Sequence, residues 1–578
     1  MKKLVIIESP GKVKKISSIL GPDYTILPTV GHIVELAKGG RHGIGIDFEN
    51  NYKLKYMLME DKVKVLSSII EAAKDHDEII LLCDPDREGI SISWHVKERL
   101  IGFDKPIRAT STDQITKEGL KKAFSQLGDI NLNIVRAQEA RRALDRIVGF
   151  MASPFLMKVK NKALSAGRVQ SVAVQLIVDK EKEISNFNPE TYFTIDLNLN
   201  KGIDFRAVYP KKLKDEKEAN RINNLLLNED YIVDNIKDDI ELKNPSAPLI
   251  TSTLQQVMST IHGFEPARTM KAAQGLYEGG YVTYIRTDSP DISKEALDDV
   301  RDYLKNNNYK IPKNQNKYKS KDSAQEAHEC IRPTNLNSKL DDGYSDVDED
   351  QKKTYDVIWK YFVASQCEPA KFSTRKITFK SNASNIEVKS SGKCLVEANY
   401  LDILGQKDNS KIDIPELKVG EVVKLSSNNP TILEKKKTKP PARFNIASLI
   451  KNLEDNGIGR PSTYAEIISK IESREYVERK GNVYYPTELG INITSTLAEN
   501  FSFMDYNFTA TIEKDLDLIA EGKMTYLEMM DKFYPSFKKE LTEAYKKENV
   551  ELCKKCESPL VTSKDGNSTF CSNYRKCK

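Results

Sequence analysis

Apolar residues in the first 130 positions form short continuous runs that alternate with stretches of helical periodicity. Residues 4–7 and 78–83 are such runs, and this pattern is typical of buried strands. Apolar positions at helical spacing occur at 13–20, 62–74 and 91–100. Because strands and helices alternate, we expect a parallel α/β sheet in this part of the chain.

The remaining pattern changes repeatedly between helical and strand periodicity. It is helical, strand-like, helical, strand-like and helical again over residues 131–187, 188–245, 246–371, 372–434 and 435–550. Residues 435–441 are basic and end in two prolines, which predicts a stiff linker where the last helical stretch begins. This order indicates a chain that leaves a domain and later returns to it.

Composition limits the class of protein. A chain of 578 residues is too long for one core, and roughly three to five domains are expected. The net charge of +5 is small, so any nucleic-acid surface must be local. No apolar run approaches the roughly 18 residues of a membrane span, and the run at 4–7 is too short for a signal peptide. We therefore expect a cytoplasmic protein without a membrane partner.

Acidic residues follow both predicted strands of the first domain. Asp84, Asp86 and Glu88 come directly after one strand. Glu8 and Lys12 follow the other. The carboxyl ends of parallel strands meet at one edge, where such sheets bind ligands, and carboxylate oxygens suit Mg²⁺. An acidic loop before a helix is the alternative interpretation, which an isolated Asp-x-Asp would favour.

This arrangement resembles a Toprim domain, which topoisomerases, primases and some nucleases share. The resemblance implies a Rossmann-like domain over residues 1–130, with Mg²⁺ held by four carboxylates, Glu8, Asp84, Asp86 and Glu88. It does not choose among the three classes. A Toprim primase or nuclease therefore remains open at this point.

A candidate nucleophile lies in residues 279–289, Gly-Gly-Tyr-Val-Thr-Tyr-Ile-Arg-Thr-Asp-Ser. A phenol is a poor nucleophile at its free pKa of about 10, and a nearby cation favours the phenolate and binds a phosphate oxygen. Arg286 follows Tyr284 by two residues, so both side chains lie on the same side of an extended segment. A tyrosine in an ordinary strand is the alternative.

The sequence Tyr-Ile-Arg-Thr-Asp-Ser closely resembles the active-site signature of type IA DNA topoisomerases. A second element, Ala-His-Glu-Cys-Ile-Arg-Pro-Thr at 327–334, is also similar to that family. The resemblance implies that Tyr284 is the nucleophile and that Arg286 binds the phosphate. It also implies that His328 lies near the active site.

The resemblance implies a reaction and its partners. Tyr284 would attack single-stranded DNA, giving a 5′-phosphotyrosine and a free 3′-hydroxyl. Lys12 and Arg286 would neutralise the phosphate, and Glu8 would protonate the leaving 3′-oxygen. A monomer would relax negatively supercoiled DNA in this way. No P-loop motif occurs, so ATP is not expected. A decatenase similar to topoisomerase III remains the alternative, although residues 43–47 are more similar to topoisomerase I.

The implied fold is a multidomain α/β plus α+β toroid of four domains. Residues 1–130 form the Toprim domain and 246–371 the helical domain with the nucleophile. The helical DNA-groove domain comprises 131–187 and 435–550, and the β-rich arch comprises 188–245 and 372–434.

Arginines on a predicted helix are candidates for DNA binding. Arg142 and Arg146 are four residues apart and share one face, which suits successive phosphates of a strand. Asp145 follows Arg141 at the same spacing, which predicts an ion pair. A solvated charged face is the alternative. Similarity to the type IA groove implies DNA contacts by Arg142, Arg146, Phe150 (by stacking), Arg168, Gln170 and Arg460.

Four cysteines lie close together in residues 551–578. Cys553, Cys556, Cys571 and Cys577 have the spacing of two knuckles around one tetrahedral Zn²⁺. A reducing cytoplasm argues against disulfides between them. We therefore expect a zinc ribbon with a DNA-binding role.

Overall fold

The structure of the protein is a computed structural model. It describes residues 2–38, 43–160, 164–319, 329–338, 340, 346–555, 559–562, 569–571 and 577. Two predicted site residues, His328 and Cys556, lie outside the described residues.

The first part of the chain forms a four-stranded parallel sheet. Its elements are β1 (Lys3–Ile7), α1 (Val13–Leu20), β2 (Tyr24–Pro28), β3 (Val34–Leu36), β4 (Ile46–Asp47), β5 (Lys53–Leu54), β6 (Tyr56–Leu58), α2 (Val63–Lys74), β7 (Glu78–Cys83), α3 (Arg87–Leu100), β8 (Ile107–Ser111) and α4 (Lys117–Ser125). The sheet order is β2-β1-β7-β8, as expected for a parallel α/β unit. Helix α3 begins four residues before the predicted start because the Asp86 side chain caps it by accepting from the Gly89 amide.

The remaining elements follow the predicted alternation with a few exceptions. They are α5 (Leu132–Lys160), α6 (Gln170–Ser185), β9 (Thr191–Asn200), β10 (Asp204–Val208), α7 (Glu216–Leu227), β11 (Tyr231–Lys243), α8 (Thr251–His262), α9 (Pro266–Glu278), α10 (Lys294–Asn306), α11 (Glu349–Ser365), β12 (Ala370–Ser381), β13 (Glu387–Glu397), α12 (Tyr400–Ile403), β14 (Val422–Leu425), β15 (Thr431–Lys437), α13 (Ile446–Asp455), α14 (Tyr464–Ser473), β16 (Val477–Lys480), β17 (Val483–Pro486), α15 (Glu488–Ala498), α16 (Tyr506–Ala520), α17 (Tyr526–Lys547), β18 (Leu560–Thr562) and β19 (Thr569–Cys571).

Strands β9 to β15 form one antiparallel sheet in the order β10-β13-β12-β11-β14-β9-β15. Because β10 also pairs with β9, the hydrogen-bonded ring closes on itself. The predicted linker at 435–441 is partly wrong. Its first three residues, Lys435 to Lys437, belong to β15 and pair with residues 191–193 of β9, because alternating side chains there suit a sheet edge.

Helices that precede the antiparallel sheet in the sequence share one hydrophobic core with helices that follow it. Buried residues of α5, α6 and α13–α17 contact each other. The same core contains Ile44, Ile46 and Tyr52, which lie within the first part of the chain. The segment after β3 that contains these three residues therefore joins the parallel-sheet part to the helical core. Among the described helices, none has both the length and the apolar character needed to cross a lipid bilayer.

Candidate active site

The ends of β1 and β7 bring acidic and basic side chains to one edge of the parallel sheet. The two strands are neighbours, with Ile7 opposite Leu82. The residues that follow them therefore meet. Lys12, in the short helical turn before α1, is buried and forms an ion pair with Asp84 after β7. A lysine and a carboxylate thus lie together where ligands bind such sheets.

The segment after α9 places Tyr284 at the same edge. The Tyr284 hydroxyl donates a hydrogen bond of 2.5 Å to Asp86 Oδ2. An Arg286 guanidinium nitrogen lies 3.3 Å from the same oxygen and 3.2 Å from Glu88 Oε2. The Tyr284 amide also donates to the Asp113 carbonyl at 2.7 Å. Tyr284 and Arg286 therefore share a carboxylate, although the segment forms only an isolated bridge, at Val282, rather than a strand.

Burial and neighbouring charge set the protonation of the acidic cluster. Burial, followed by the charges of Asp84 and Asp86, raises the pKa of Glu8 to about 8, so Glu8 is mostly neutral at pH 7. Glu88 behaves in the opposite way. A hydrogen bond from His32, helped by Arg286, lowers the pKa of Glu88 to about 2. The cluster therefore contains a proton donor, Glu8, and a carboxylate that stays charged, Glu88.

Arg286 favours the Tyr284 phenolate, as expected, but other effects on the pKa of Tyr284 are larger. Burial, followed by the charges of Asp86 and Asp84, raises the pKa of Tyr284 well above its usual value and outweighs Arg286. Tyr284 is therefore a neutral phenol here. It must give up its proton as it reacts, and its hydrogen-bond acceptor is Asp86.

The carboxylates have the donor chemistry of a Mg²⁺ site. Three hard oxygen donors, from Asp84, Asp86 and Glu88, lie at the sheet edge. In this arrangement Asp84 is engaged by Lys12, and Arg286 bridges the other two. Across the part of the chain that is described, only cysteines offer three ligand atoms within 4.8 Å of one another. Asp84, Asp86 and Glu88 therefore have the donor atoms that Mg²⁺ prefers. Arg286 has to release Asp86 and Glu88 before they can bind the ion.

A cleft of about 240 Å³ opens beside this edge. Its arginines come from four separate stretches of the chain and are Arg87, Arg141, Arg142, Arg286 and Arg460. The sequence predicted three of them and missed Arg87 and Arg141. Arg87 could have been found, because it lies inside the acidic motif after β7. The predicted ion pair between Arg141 and Asp145 is absent, since Arg141 instead lies 3.9 Å from Glu513.

Of the other predicted groove residues, Arg146 and Phe150 contact each other on α5, and Gln170 begins α6. The Arg146 guanidinium lies 4.5 Å from the centroid of the Phe150 ring and donates to the Leu36 carbonyl at 2.8 Å. The Phe150 side chain is 46% exposed. Gln170, the first residue of α6, folds over Gly167. An exposed aromatic ring next to a cation suits base stacking.

Direct DNA contact by Arg168, which the sequence resemblance implied, does not fit the structure. The Arg168 side chain has no exposed surface. It is held 3.1 Å from Asp145 and 2.9 Å from Glu513. A guanidinium enclosed by two carboxylates stabilises the groove rather than reaching a strand. Arg460 is different, because it lines the cleft while contacting Asp517 at 3.1 Å.

Three of the four clustered cysteines converge at the two-stranded sheet β18–β19. The sulfur atoms of Cys553, Cys571 and Cys577 lie within 4.8 Å of one another. Those of Cys553 and Cys577 are 3.7 Å apart. None of the three forms a disulfide. The geometry suits a soft tetrahedral metal ion.

Two protein-family models together match most of the chain. A model described as DNA topoisomerase matches residues 129–531, and one described as Toprim domain matches residues 3–112. The chain belongs to the type IA DNA topoisomerase family. This confirms the resemblance inferred from the tyrosine motif and the acidic edge. Tyr284 and the groove arginines lie in the first matched region, and the carboxylates lie in the second.

Relatives described as DNA topoisomerase 1 match nearly the whole length of this type IA chain. DNA topoisomerase 1 of Pseudomonas aeruginosa is 38% identical over 99% of this chain and 72% of its own. DNA topoisomerase 1 of Escherichia coli is 37% identical over 94% and 67%. The solved full-length topoisomerase I of Thermotoga maritima superposes with a TM-score of 0.82 at 30% identity, covering 98% of this chain and 96% of that one.

Proposed function

We propose that this protein relaxes negatively supercoiled DNA by cutting one strand, passing the other through the break and resealing it. The observation that carries the proposal is the hydrogen bond from Tyr284 to Asp86 beside Arg286. It joins a buried phenol, a proton acceptor and a cation at one point. The product would be a 5′-phosphotyrosine with a free 3′-hydroxyl.

Each neighbouring side chain has a role in this reaction. Asp86 accepts the phenolic proton as the Tyr284 oxygen bonds to phosphorus. Glu8, whose pKa of about 8 keeps it mostly neutral at pH 7, gives a proton to the leaving 3′-oxygen. Arg286 and Lys12 stabilise the charge on the phosphate oxygens. The bond exchange is nearly isoenergetic, so no ATP is needed.

Asp84, Asp86 and Glu88 would hold Mg²⁺, which supplies positive charge for positioning the 3′ end during resealing. Until then, these carboxylates bind Lys12 and Arg286. Glu8, the fourth predicted ligand, would join the three carboxylates only in its ionised form, because its pKa is raised to about 8. His328 lies outside the described residues, so its position near the active site stays a prediction.

Single-stranded DNA is the substrate that suits the cleft. The strand would run along α5, with Arg142, Arg146 and Arg460 at its phosphates and Phe150 stacked on a base. Gln170 would contact the same strand. We further propose that the chain forms the predicted four-domain toroid and acts as a monomer. Its β-rich return would begin with β12 at residue 370 and end with β15 at residue 437, rather than at the predicted 372 and 434. The toroid would open for strand passage.

Cys553, Cys571 and Cys577, with Cys556, would bind one Zn²⁺ in a ribbon at β18–β19. Metal analysis of the purified protein should find one equivalent of zinc. The Cys571→Ser variant should lose it while cleaving oligonucleotides normally. Wild-type protein without zinc would contradict this part of the proposal.

The test uses negatively supercoiled plasmid with Mg²⁺ and no ATP. Wild type should produce a ladder of relaxed topoisomers, and Tyr284→Phe should produce none. Trapping with denaturant should leave wild-type protein attached to 5′ DNA ends. Tyr281→Phe is the matched control, because the Tyr281 hydroxyl donates a hydrogen bond of 3.1 Å to Asp346. Cutting by Tyr284→Phe would point instead to a Toprim nuclease.

A further inference from the structure

A second tyrosine, Tyr277, is buried against the catalytic groups. Its hydroxyl lies 2.9 Å from the Thr112 carbonyl and 3.3 Å from Asp84 Oδ1. The Lys12 ammonium lies 4.8 Å from the centroid of its ring. The same ring meets that of Tyr284 edge to face, with 5.2 Å between centroids. One side chain therefore touches the nucleophile, the lysine and an acidic residue, yet the reaction described above gives it no role.

The contacts of Tyr277 cross between two parts of the chain. Tyr277 is in the last turn of α9 and precedes Tyr284 by seven residues. Lys12, Asp84 and Thr112 all belong to the parallel-sheet part. A rigid-body movement of α9 together with the segment that carries Tyr284 would also withdraw Tyr277 from this part. The ring that covers Lys12 is therefore present only when the two parts are closed.

We propose that Tyr277 is a positioning residue that assembles the Lys12–Asp84 pair when the tyrosine-bearing part closes, an inference that rests on the proposed strand cleavage by Tyr284. The ring and the hydroxyl act differently. The ring face attracts the ammonium of Lys12 and fixes it beside Asp84. The hydroxyl binds the Thr112 carbonyl and holds the two parts together.

This division gives different expectations for two substitutions. Tyr277→Phe keeps the ring and loses the hydroxyl, so the cleavage rate of a short oligonucleotide should stay within about threefold of wild type. The open state during strand passage should then last about five times longer in single-molecule extension records. Tyr277→Leu loses both groups, and its cleavage rate should fall by about thirtyfold.

A structural role alone would move other quantities. It would lower the melting temperature and reduce cleavage by both variants in proportion. A series of fluorinated phenylalanines at position 277 avoids this ambiguity, because fluorine removes the negative ring face with little change of shape. Cleavage should fall stepwise along the series, by about tenfold in total, at constant melting temperature. Tyr281→Phe, which removes a hydroxyl bonded to Asp346, should show none of these effects.

Two results would overturn the role of Tyr277. One is an equal cleavage rate for all members of the fluorinated series. The other is an unchanged open-state lifetime for Tyr277→Phe. In both cases wild-type cleavage would persist, and only this inference would fall. Wild-type protein that fails to cleave would overturn both this inference and the proposed function.

Discussion

Glu513, on α16, has no exposed surface and is surrounded by arginines. Burial alone would raise the pKa of Glu513, but Arg141, Arg168 and Arg460 together lower it to about 2. Two of these arginines line the DNA cleft, and the third is buried behind it. One carboxylate therefore fixes the spacing of the cationic side chains that a DNA strand would meet.

Glu513→Gln should destabilise the protein by about 3 kcal/mol, because the buried Arg168 loses a charged partner. Urea unfolding at pH 7 measures the change. Glu521→Gln on the same part of the chain is the control, since Glu521 pairs with Lys523 at the surface. That control should change stability by less than about 0.5 kcal/mol. Equal effects of the two substitutions would contradict the assigned role of Glu513.

The pKa of Glu513 also predicts how stability depends on pH. The folded-state pKa is about 2, below the ordinary value of 4.5. The ion pairs therefore contribute fully above pH 4.5 and are lost as the pH falls towards 2. Between pH 5 and 2, wild type should lose stability more steeply than Glu513→Gln. Parallel curves in denaturation experiments would argue against this depressed pKa.

Phe150 should bind a DNA base rather than stabilise the fold. Phe150→Ala should weaken binding of single-stranded oligonucleotide by about 2 kcal/mol, roughly thirtyfold, because base stacking is lost. Fluorescence anisotropy measures the affinity. Leu132→Ala lies on the same helix at a similar exposure, 48%, and should leave the affinity unchanged. Equal weakening by both substitutions would remove Phe150 from the groove.

Among single residues, the site residues that could be predicted from the sequence are those that lie in specific motifs. Tyr284, Arg286 and Asp86 are in such motifs, and they meet in the structure. The burial of Arg168 could not be predicted in this way. It depends on Glu513, which is 345 residues away along the chain, and no local pattern encodes such a contact.

The junction between β7 and α3 places the acidic residues, and it depends on Gly89. A Cβ atom there would lie 2.7 Å from the Asp84 carbonyl oxygen and 2.9 Å from the Asp84 nitrogen. Neither backbone atom can move without shifting the carboxylates. The close approach of helix and strand therefore determines where Asp84 and Asp86 point.

Gly89→Ala should lower the free energy of unfolding by about 2 kcal/mol and reduce relaxation by more than about tenfold, through overpacking and misplaced carboxylates. Plasmid relaxation and urea denaturation are the two measurements. Gly102→Ala is the matched control after the same helix, because a Cβ at Gly102 would meet nothing within 4 Å. Full activity in Gly89→Ala would show that this packing does not set the site.

Elements with one clear periodicity were predicted well, and mixed stretches were not. Residues 13–20 and 78–83 form α1 and β7 with the predicted bounds. Helix α7 was missed within a strand-like region, although Asp215 caps it and Ala219, Ile222 and Leu226 are buried at helical spacing. The hairpin β16–β17 was missed for the opposite reason, since helices surround it. In both cases the periodicity of the surrounding residues masked the different periodicity of the short element.

The parallel-sheet part packs against two neighbouring parts of the chain. Towards the helical core of α5 and α16–α17 it contributes apolar packing, including Phe48 stacked on Tyr534 with 4.4 Å between ring centroids. Towards the tyrosine-bearing part it also contributes apolar packing, because Ile7 and Ile80 share a buried cluster with Leu276 and Tyr284. Polar contacts, such as Ser9 with Glu278 at 2.5 Å, accompany this packing. Movement of the tyrosine-bearing part away from the sheet would therefore expose apolar surface to water.

If strand passage requires the tyrosine-bearing part to move, a cross-link between it and the helical DNA-groove part should separate cleavage from relaxation. Arg479 on β16 lies 2.5 Å from Glu265, the residue before α9, far along the chain from the acidic edge. Both side chains are partly exposed, so replacing them with cysteine should change stability by less than about 1 kcal/mol. A short bifunctional thiol reagent can then join positions 265 and 479.

The cross-linked double variant should cleave a short oligonucleotide within about threefold of wild type, because Tyr284 stays at Asp86. Its plasmid relaxation should fall by more than about tenfold, because the other strand cannot pass through a closed ring. Each single-cysteine variant, treated with the same reagent, controls for modification of the native cysteines. If the cross-linked protein relaxes plasmid at the wild-type rate, the strand passes elsewhere and another boundary must open.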